Sequence, residues 1–458
     1  MTYTSPFLTS PDDALLTGWG RTSPSLAKLT SVTATEDIEH VIGAHTERGV
    51  LARGLGRSYG DAAQSGGANV LDMTKLNGFT LDRESATVTA DAGASLDAIL
   101  RAIVPQGFFV AVTPGTRMVT VGGAIAADVH GKSHHHDGTF GSNVLSLDII
   151  DGTGVGVRTL TPDDPRTRED FWATVGGMGL TGVITRATFR VIPIETALVS
   201  VDTERANDLD DAMARMVKHD DDYRYSAAWI DTVSASGRGV LTRGDHAPLS
   251  ALSAKQRRDP LSYGPAVRLS APKFFPGGAL NPLTIKAFNE AWFRKAPKYA
   301  VGELHSIPSF FHPLDGVQEW NRVYGPNGFL QYQFVVPDSA SHLIRTALDA
   351  LRASGAQSFL TVLTRCGLAN VAPLSFPQQG WTLAADVPAG LPGLGAVLDQ
   401  LDEQVADAGG RLYFAKDSRQ SPQMVRRTYP RLSEWQIIRK RMDPTGMFTS
   451  DLARRLQL

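Results

Sequence analysis

Two glycine-rich stretches constrain this chain more than any other feature of its sequence. The first, Arg53-Gly-Leu-Gly-Arg-Ser-Tyr-Gly-Asp61, follows a short predicted strand, Val50 to Arg53. Glycines let backbone N–H groups approach an anionic ligand closely, as a phosphate-cradling loop requires. The spacing is GxGxxxG, however, and the next predicted element is a strand, Val70 to Met73. A dinucleotide-binding Rossmann unit needs GxGxxG opening a helix, so context excludes that fold. A plain turn accounts for this loop alone equally well. The second stretch, Thr113 to Lys132, adds two more Gly turns and two hydroxyl side chains before His130 and Lys132. A pyrophosphate needs many N–H donors from several loops, and two such loops in one unit fit that need.

Around these loops the reading is α/β followed by α+β. Thr35 to His45 is predicted helical, with Glu36 and Asp37 in its first turn and Ile38, Val41 and Ile42 on one face. Ser95 is a predicted N-cap for a helix burying Leu96, Ile99, Leu100 and Ile103 and ended by Pro105. Strands are predicted at Ala86 to Ala92, Leu145 to Asp151 and Gly182 to Ile192. The character changes near Pro193. An acidic helix (Asp208 to Asp222) follows, then a Pro- and aromatic-rich middle (Pro260 to Tyr332). A helix from Gly393 to Ala408 stops at Gly409-Gly410. At 458 residues the chain has room for two or three domains of roughly 150 residues.

Charge and composition remove several function classes. The formal net charge is −2, so no global basic excess is available for phosphates, and a general nucleic-acid binder is excluded. A single cysteine, Cys366, rules out an intrachain disulfide or a Cys-cluster metal site. Met1 to Gly20 shows no secretory signal, and no apolar run approaches the ~18 residues that span a bilayer. The segment Ala415 to Leu458 carries ten basic and four acidic residues, which suits either anionic lipid head groups or a solvated basic helix face. Gly131-Lys132-Ser133 imitates the end of a P-loop, but the required first glycine is Ala126. His130, His134, His135, His136 and Asp137 invite a zinc reading. Gly131 breaks the helix that would align them, and exposed loop histidines are the simpler account.

Taken together, the chain resembles the vanillyl-alcohol-oxidase-type FAD-binding family. More narrowly it resembles the branch that oxidises a polyprenyl-phosphoryl ribose. The matching stretches are GWGRT (18–22), RGLGRSYGD (53–61), PGTRMVTVGGAIAADVHGK (114–132) and FWATVGGMGLTGVI (171–184). Further matches are FFHPLDGVQEWNRVYGPNGFLQYQF (310–334), APLSFPQQGW (372–381), GGRLYFAKDSR (409–419) and DPTGMFTSDLARRL (443–456). They run almost end to end.

The resemblance implies an α+β, two-domain fold. An FAD-binding domain would be split between 6–194 and 411–458, with a substrate-binding cap on an antiparallel sheet at 195–410. FAD contacts are implied for Ala52, Arg53, Gly54, Leu55, Gly56, Arg57, Ser58, Tyr59, Gly60, Asp61 and Ala62. The second stretch would add Gly115, Thr116, Thr120, Val121, Gly122, Gly123, Ala127, Asp128, Val129 and His130, with Ile184 and Tyr413 from later segments. Relatives that hold the flavin covalently use a His where this chain has Arg57, so the FAD is expected to be noncovalent. Lys132, Asn321, Gln331, Gln333, Trp381 and Lys416 are implied substrate contacts. Three departures stand out: Phe311 replaces a Tyr, Thr364 a pocket Lys (with Arg365 beside it), and Ala384 the Cys that covalent inhibitors of the family attack.

The implied reaction is oxidation of the ribose 2′-hydroxyl to the 2-keto form. This is the first half of an epimerisation supplying arabinose for cell-wall arabinan, completed by a separate NADH-dependent short-chain reductase. A secondary alcohol must lose a hydride to flavin N5 and its hydroxyl proton to a base. Lys416 and His130 are the candidates, and Lys416 serves equally as base or as phosphate anchor. The rival readings are an alditol or aldonolactone oxidase with a soluble sugar, a flavin-binding scaffold without turnover, and a His-cluster metallohydrolase. The resemblance also implies a periplasmic, envelope-associated location with peripheral membrane contact. The residues themselves leave a cytoplasmic location open.

Overall fold

The computed structural model describes residues 13–44, 47–267, 269–272 and 280–458. His45, residues 6–12 of the first expected domain, the start of the Met1 to Gly20 stretch and parts of the Pro-rich middle lie outside them.

Three sheets carry the architecture. The first has the order Asp13–Leu16, Ser25–Ser31, Asn69–Asp72, Val50–Arg53, and its last three strands are parallel. Parallel neighbours need a crossover, which the helix Thr35–Gly43 supplies. The second sheet is antiparallel and centred on Val183–Pro193. That strand pairs with Thr87–Asp91, Val144–Ile150 and Phe108–Val110. The helix Leu96–Ile103 buries the four apolar residues that its spacing predicts, and the Ser95 hydroxyl accepts from Ala98 N at 3.1 Å.

Beyond Pro193 the chain enters a different sheet of eight antiparallel strands, in the order Tyr299–Ser306, Leu198–Ala206, Gly239–His246, Tyr225–Ile230, Thr361–Cys366, Gly380–Pro388, Phe329–Val336 and Arg411–Leu412. Successive side chains in a strand face opposite sides. Trp381, Leu383, Ala385 and Val387 therefore join Tyr332 and Phe334 in a core covered by the helices Leu209–His219, His342–Ala353 and Leu394–Asp407. The alternate residues face the other way, toward the glycine-rich loops.

The last strand, Arg411–Leu412, returns the chain to the first two sheets. Trp435 is wholly buried there and donates Nε1–H to Ala173 O at 2.9 Å. Phe448 bridges Val50, and Arg455 grips Asp61 through two hydrogen bonds of 2.7 and 2.8 Å. The basic excess of this segment meets carboxylates elsewhere in the chain. Arg419 pairs with Asp399 and Asp402, Arg427 with Glu403 and Asp407, and Arg441 with Glu169 and Asp170. A free basic face on this segment, one of the two expectations for it, is thus largely consumed by internal pairing.

Two local expectations need correction. The run Arg411-Leu-Tyr-Phe-Ala415 reads as a strand from its residues, but pairing ends at Leu412, and Phe414–Lys416 forms a 3-10 turn closed by Lys416 N donating to Tyr413 O at 3.0 Å. Nor are the histidines an exposed loop. His134 is buried in a helical turn, with Nδ1 accepting from Gly367 N at 3.1 Å. His135 bonds Tyr223 O at 2.8 Å, and only His136 of the run is exposed. Among the described residues no three His, Cys, Asp or Glu side chains converge as metal ligands.

Candidate functional site

The glycine-rich loops and the open face of the eight-stranded sheet enclose a cavity of about 500 Å³. That size is ordinary for a cofactor or ligand pocket. From the first loop, Ala52 to Tyr59 and Ala62 line it. From the second come Gly115, Thr116, Thr120, Gly122, Gly123, Ala127, Val129, His130 and Lys132. Ile184, Gln331, Gln333, Tyr413 and Lys416 complete the set that the sequence brings to the cavity.

The loops lie close because glycines let them. A Cβ on Gly54 would stand 2.2 Å from Thr120 Oγ1, and one on Gly122 would stand 2.9 Å from the Ala92 Cβ. At Gly115 and Gly179 a Cβ would meet nothing within 4 Å, so bare backbone faces open space. Asp128 has φ +42°, and this turn sends its side chain away from the cavity while Ala127 and Val129 face it. The second stretch is clasped to residues 312–315. Thr116 Oγ1 donates to Asp315 Oδ1 at 2.6 Å, Arg117 N donates to Asp315 Oδ2 at 2.8 Å, and Thr113 Oγ1 meets His312 Nε2 at 2.8 Å.

Six expected contacts do not line the cavity. Gly60 packs on the returning segment, where a Cβ would stand 1.7 Å from Asp417 O, and Asp61 is held by Arg455. Val121 is core. The Asp128 carboxylate accepts from Gly141 N, Asn370 Nδ2 and Ser375 Oγ. Asn321 is buried and donates to Trp19 O at 2.9 Å. Trp381 falls on the helix side of its strand, since parity gives the cavity face to Thr382 and Ala384. Parity also turns Arg365 away to Asp338 at 3.5 Å, so it does not replace the Lys absent at Thr364.

Three of the cations that line the cavity are Arg57, Lys132 and Lys416. The Arg57 guanidinium stacks 3.8 Å over Trp19, and its Nε donates to Met118 O at 3.1 Å. Lys132 is half-buried, has no carboxylate partner among the described residues and lies 5.7 Å from the Phe310 ring; burial pulls its ammonium down to about 8. Lys416 sits 3.8 Å over Tyr59. Burial lowers its pKa, and the nearby Asp386 carboxylate opposes that shift. Asp386 itself is fully buried and pushed upward by desolvation, against a hydrogen bond from Gln331 Nε2 and the Lys416 charge. These two groups titrate as a pair. His130 is held neutral: burial drives its pKa down to about 3, helped by His134 and Lys416. Its Nε2 accepts from Gln333 Nε2 at 2.9 Å, and its buried Nδ1 has no partner.

Sequence reasoning missed Asp386, Trp19 and Asp315. Asp386 was within reach, because it lies two residues beyond Ala384 on the same strand and so on the same face.

The comparisons follow this geometry closely. A profile described as an FAD binding domain matches residues 27–160, and one described as D-arabinono-1,4-lactone oxidase matches 394–456. Decaprenylphosphoryl-β-D-ribose oxidase of Mycolicibacterium smegmatis is 46% identical over 457 residues, covering 97% of each chain. The chain belongs to that oxidase family. An uncharacterised Streptomyces coelicolor protein is 36% identical over 80% of this chain and 100% of its own length. Cytokinin dehydrogenase 2 of Arabidopsis thaliana shares 30% identity over 30% of this chain and 27% of its own.

FAD is therefore the cofactor of this oxidoreductase, and the cavity fits it. Bare glycine backbone at Gly115 and the cations Arg53 and Arg57 on the lining are what a phosphate-bearing heterocycle would satisfy. Arg57 has no nucleophilic nitrogen free to form a flavin linkage, being stacked, hydrogen-bonded and cationic. Acid precipitation is expected to release all the FAD into the supernatant; flavin absorbance retained in the pellet would contradict this.

Proposed function

We propose that the chain oxidises the 2′-hydroxyl of a polyprenylphosphoryl-β-D-ribose to the 2-keto form and hands that product to a separate NADH-dependent reductase. The observation that carries this reading is the position of Lys416. A turn of the returning segment places its ammonium over Tyr59 of the first glycine loop, on the wall shared with His130 and Gln333. Bound FAD supplies the hydride acceptor. The chain's own groups do the rest. Lys416 takes the hydroxyl proton or anchors the phosphate. Gln333 fixes the His130 ring on the cavity wall through Nε2. Lys132, half-buried and without a carboxylate partner among the described residues, is a second seat for an anion. In this account residues 6–194 and 411–458 form the FAD-binding domain and 195–410 the cap, working at the cell envelope.

The test is product identity. Trapping the product of farnesylphosphoryl ribose with borodeuteride should place one deuterium at C2 of the sugar; label at C1 or none would sink the proposal. A soluble aldonolactone or alditol substrate is the second reading, favoured by the lactone-oxidase match over 394–456. That match takes in Tyr413, Ala415 and Lys416 of the cavity wall, whereas the glycine loops and the open sheet face, which form most of the lining, lie outside it.

The cavity also lacks a thiol. Ala384 occupies its wall, and Cys366 is buried outside the cavity lining, with its thiol pushed up to about 12 by burial. A thiolate is the reacting species, so nitroaromatic compounds that trap a pocket Cys should leave no adduct. Intact mass after turnover should equal that of untreated protein, and an adduct on Cys366 would contradict the placement of that strand.

A further inference from the structure

The eight-stranded sheet stops short beside Lys416. Arg411–Leu412 pairs only with Phe334 and Val335, and no described strand continues that pairing along Leu330 to Tyr332. A second, small cavity of about 20 Å³ lies at this gap. It shares Gln331, Gln333, Tyr413 and Lys416 with the large cavity. Its other lining includes Tyr332, Leu398 and Leu412, which belong to the core under the helices. Successive side chains of a strand point to opposite faces. The small cavity therefore passes round the open sheet edge, from the face that holds Lys416 to the face the helices cover.

The space suits one water, which needs roughly 10–15 Å³ and two to four polar partners. Gln420 lines it and is buried, and neither its Nε2 nor its Oε1 has a hydrogen-bond partner among the described residues. A buried amide left so is uncommon, and an internal water is the ordinary remedy. The Tyr332 hydroxyl and Asp402 Oδ1 lack a partner in the same way. Burial, and after it the Asp402 charge, push the Tyr332 hydroxyl well above its ordinary range, so the two groups are neighbours. Asp402 leads outward. It accepts from Arg419 at 2.9 and 3.0 Å, and Arg419 reaches the exposed Asp399 at 2.6 Å. Burial lifts Asp402 to about 7, where a carboxyl can both take and release a proton near neutrality.

We propose that the small cavity seats one water on Gln420 and that this water carries the proton taken by Lys416 out through the Tyr332 hydroxyl to Asp402 and solvent. The proposal rests on the oxidation proposed above, with Lys416 as its base. In that reaction the carbinol C–H pair leaves as hydride to bound FAD, and the O–H pair becomes the second bond of the ketone. The hydroxyl proton passes to the neutral Lys416 amine. It must leave again before the next turnover, while FAD and substrate fill the large cavity. Asp386 can share that proton but not deliver it, because it is fully buried and bonded to Gln331 on the cavity wall. A hydroxyl such as that of Tyr332 accepts one proton as it gives up another, which a relay requires.

The test has two arms, both on the FAD-loaded protein. The first needs no turnover: a crystal structure that shows ordered solvent should place one water within hydrogen-bond distance of the Gln420 amide. A dry cavity, or a Gln420 side chain turned onto a protein partner, overturns the proposal. The second is rapid mixing with farnesylphosphoryl ribose in weak buffer containing a pH-indicator dye. Proton release by wild-type protein should keep pace with flavin bleaching. In Gln420→Leu and in Tyr332→Phe, release should lag behind bleaching by about tenfold, as loss of a proton-transfer group implies. The lag compares two signals from one sample, so a merely structural loss, which slows both alike, does not produce it. FAD content reports the folding of each variant, and either variant alone suffices. Release that keeps pace with bleaching in both variants overturns the proposal. A seated water in a protein whose flavin this substrate does not bleach would overturn the relay through the proposed function and leave only the water site.

Discussion

Lys416→Ala is expected to keep the fold and the full FAD content while losing most turnover. Among the described residues its side chain makes no hydrogen bond; the ammonium overlies Tyr59, lies near Asp386 and faces the cavity. Removing it therefore breaks no packing on which the loops depend. The expected FAD contacts come from the glycine stretches, the first of which Arg455 ties to the returning segment through Asp61 without using the Lys416 side chain. If Lys416 is the general base, its loss should cut flavin reduction at saturating substrate by ~10²–10⁴-fold. If it is the phosphate anchor, substrate affinity should fall while the limiting reduction rate changes much less. Rapid mixing across substrate concentration separates the two roles. A variant with wild-type rate and affinity would make Lys416 a bystander.

Asp386→Asn should move the pH profile of flavin reduction toward lower pH by removing the charge that counters burial at Lys416. Asp386 raises the Lys416 pKa, so without it the ammonium gives up its proton more readily. Asn is nearly isosteric, and with its amide turned appropriately it keeps the hydrogen bond to Gln331, so folding should survive. For a base, only the neutral amine is active, and the rate rises with pH through the shifted pKa. An anchor is active only as the cation, so affinity falls with rising pH through the same value. The shift should thus be downward in either case, and the direction of the limb assigns the role. An unshifted profile would mean that the two groups do not share a titration.

The parts of this molecule readable from sequence are those written locally. Ser95 and Asp208 cap the helices that follow them, and a left-handed Gly409 lies just beyond the helix Leu394–Asp407. The glycine loops are legible for the same reason, since close backbone approach leaves glycine as its trace. Strand register is not local. Trp381 and Thr382 look equally eligible for the cavity, and only the pairing of Thr364 with Thr382 and of Gln333 with Ala384 decides which side each faces. Burial of a polar group depends on distant partners as well. His134 meets Gly367, and Asp128 meets Asn370 and Ser375, at separations of more than two hundred residues. The Lys416 turn escaped for a subtler reason: its sequence, Phe-Ala-Lys, suits a strand, but no partner strand extends past Leu412.

Anaerobic mixing with farnesylphosphoryl ribose tests the central claim most directly. The account predicts stoichiometric bleaching of the flavin band in wild-type protein, strongly slowed in the Lys416→Ala variant. An unbleached flavin with this substrate, together with rapid bleaching by a soluble aldonolactone or alditol, would contradict it.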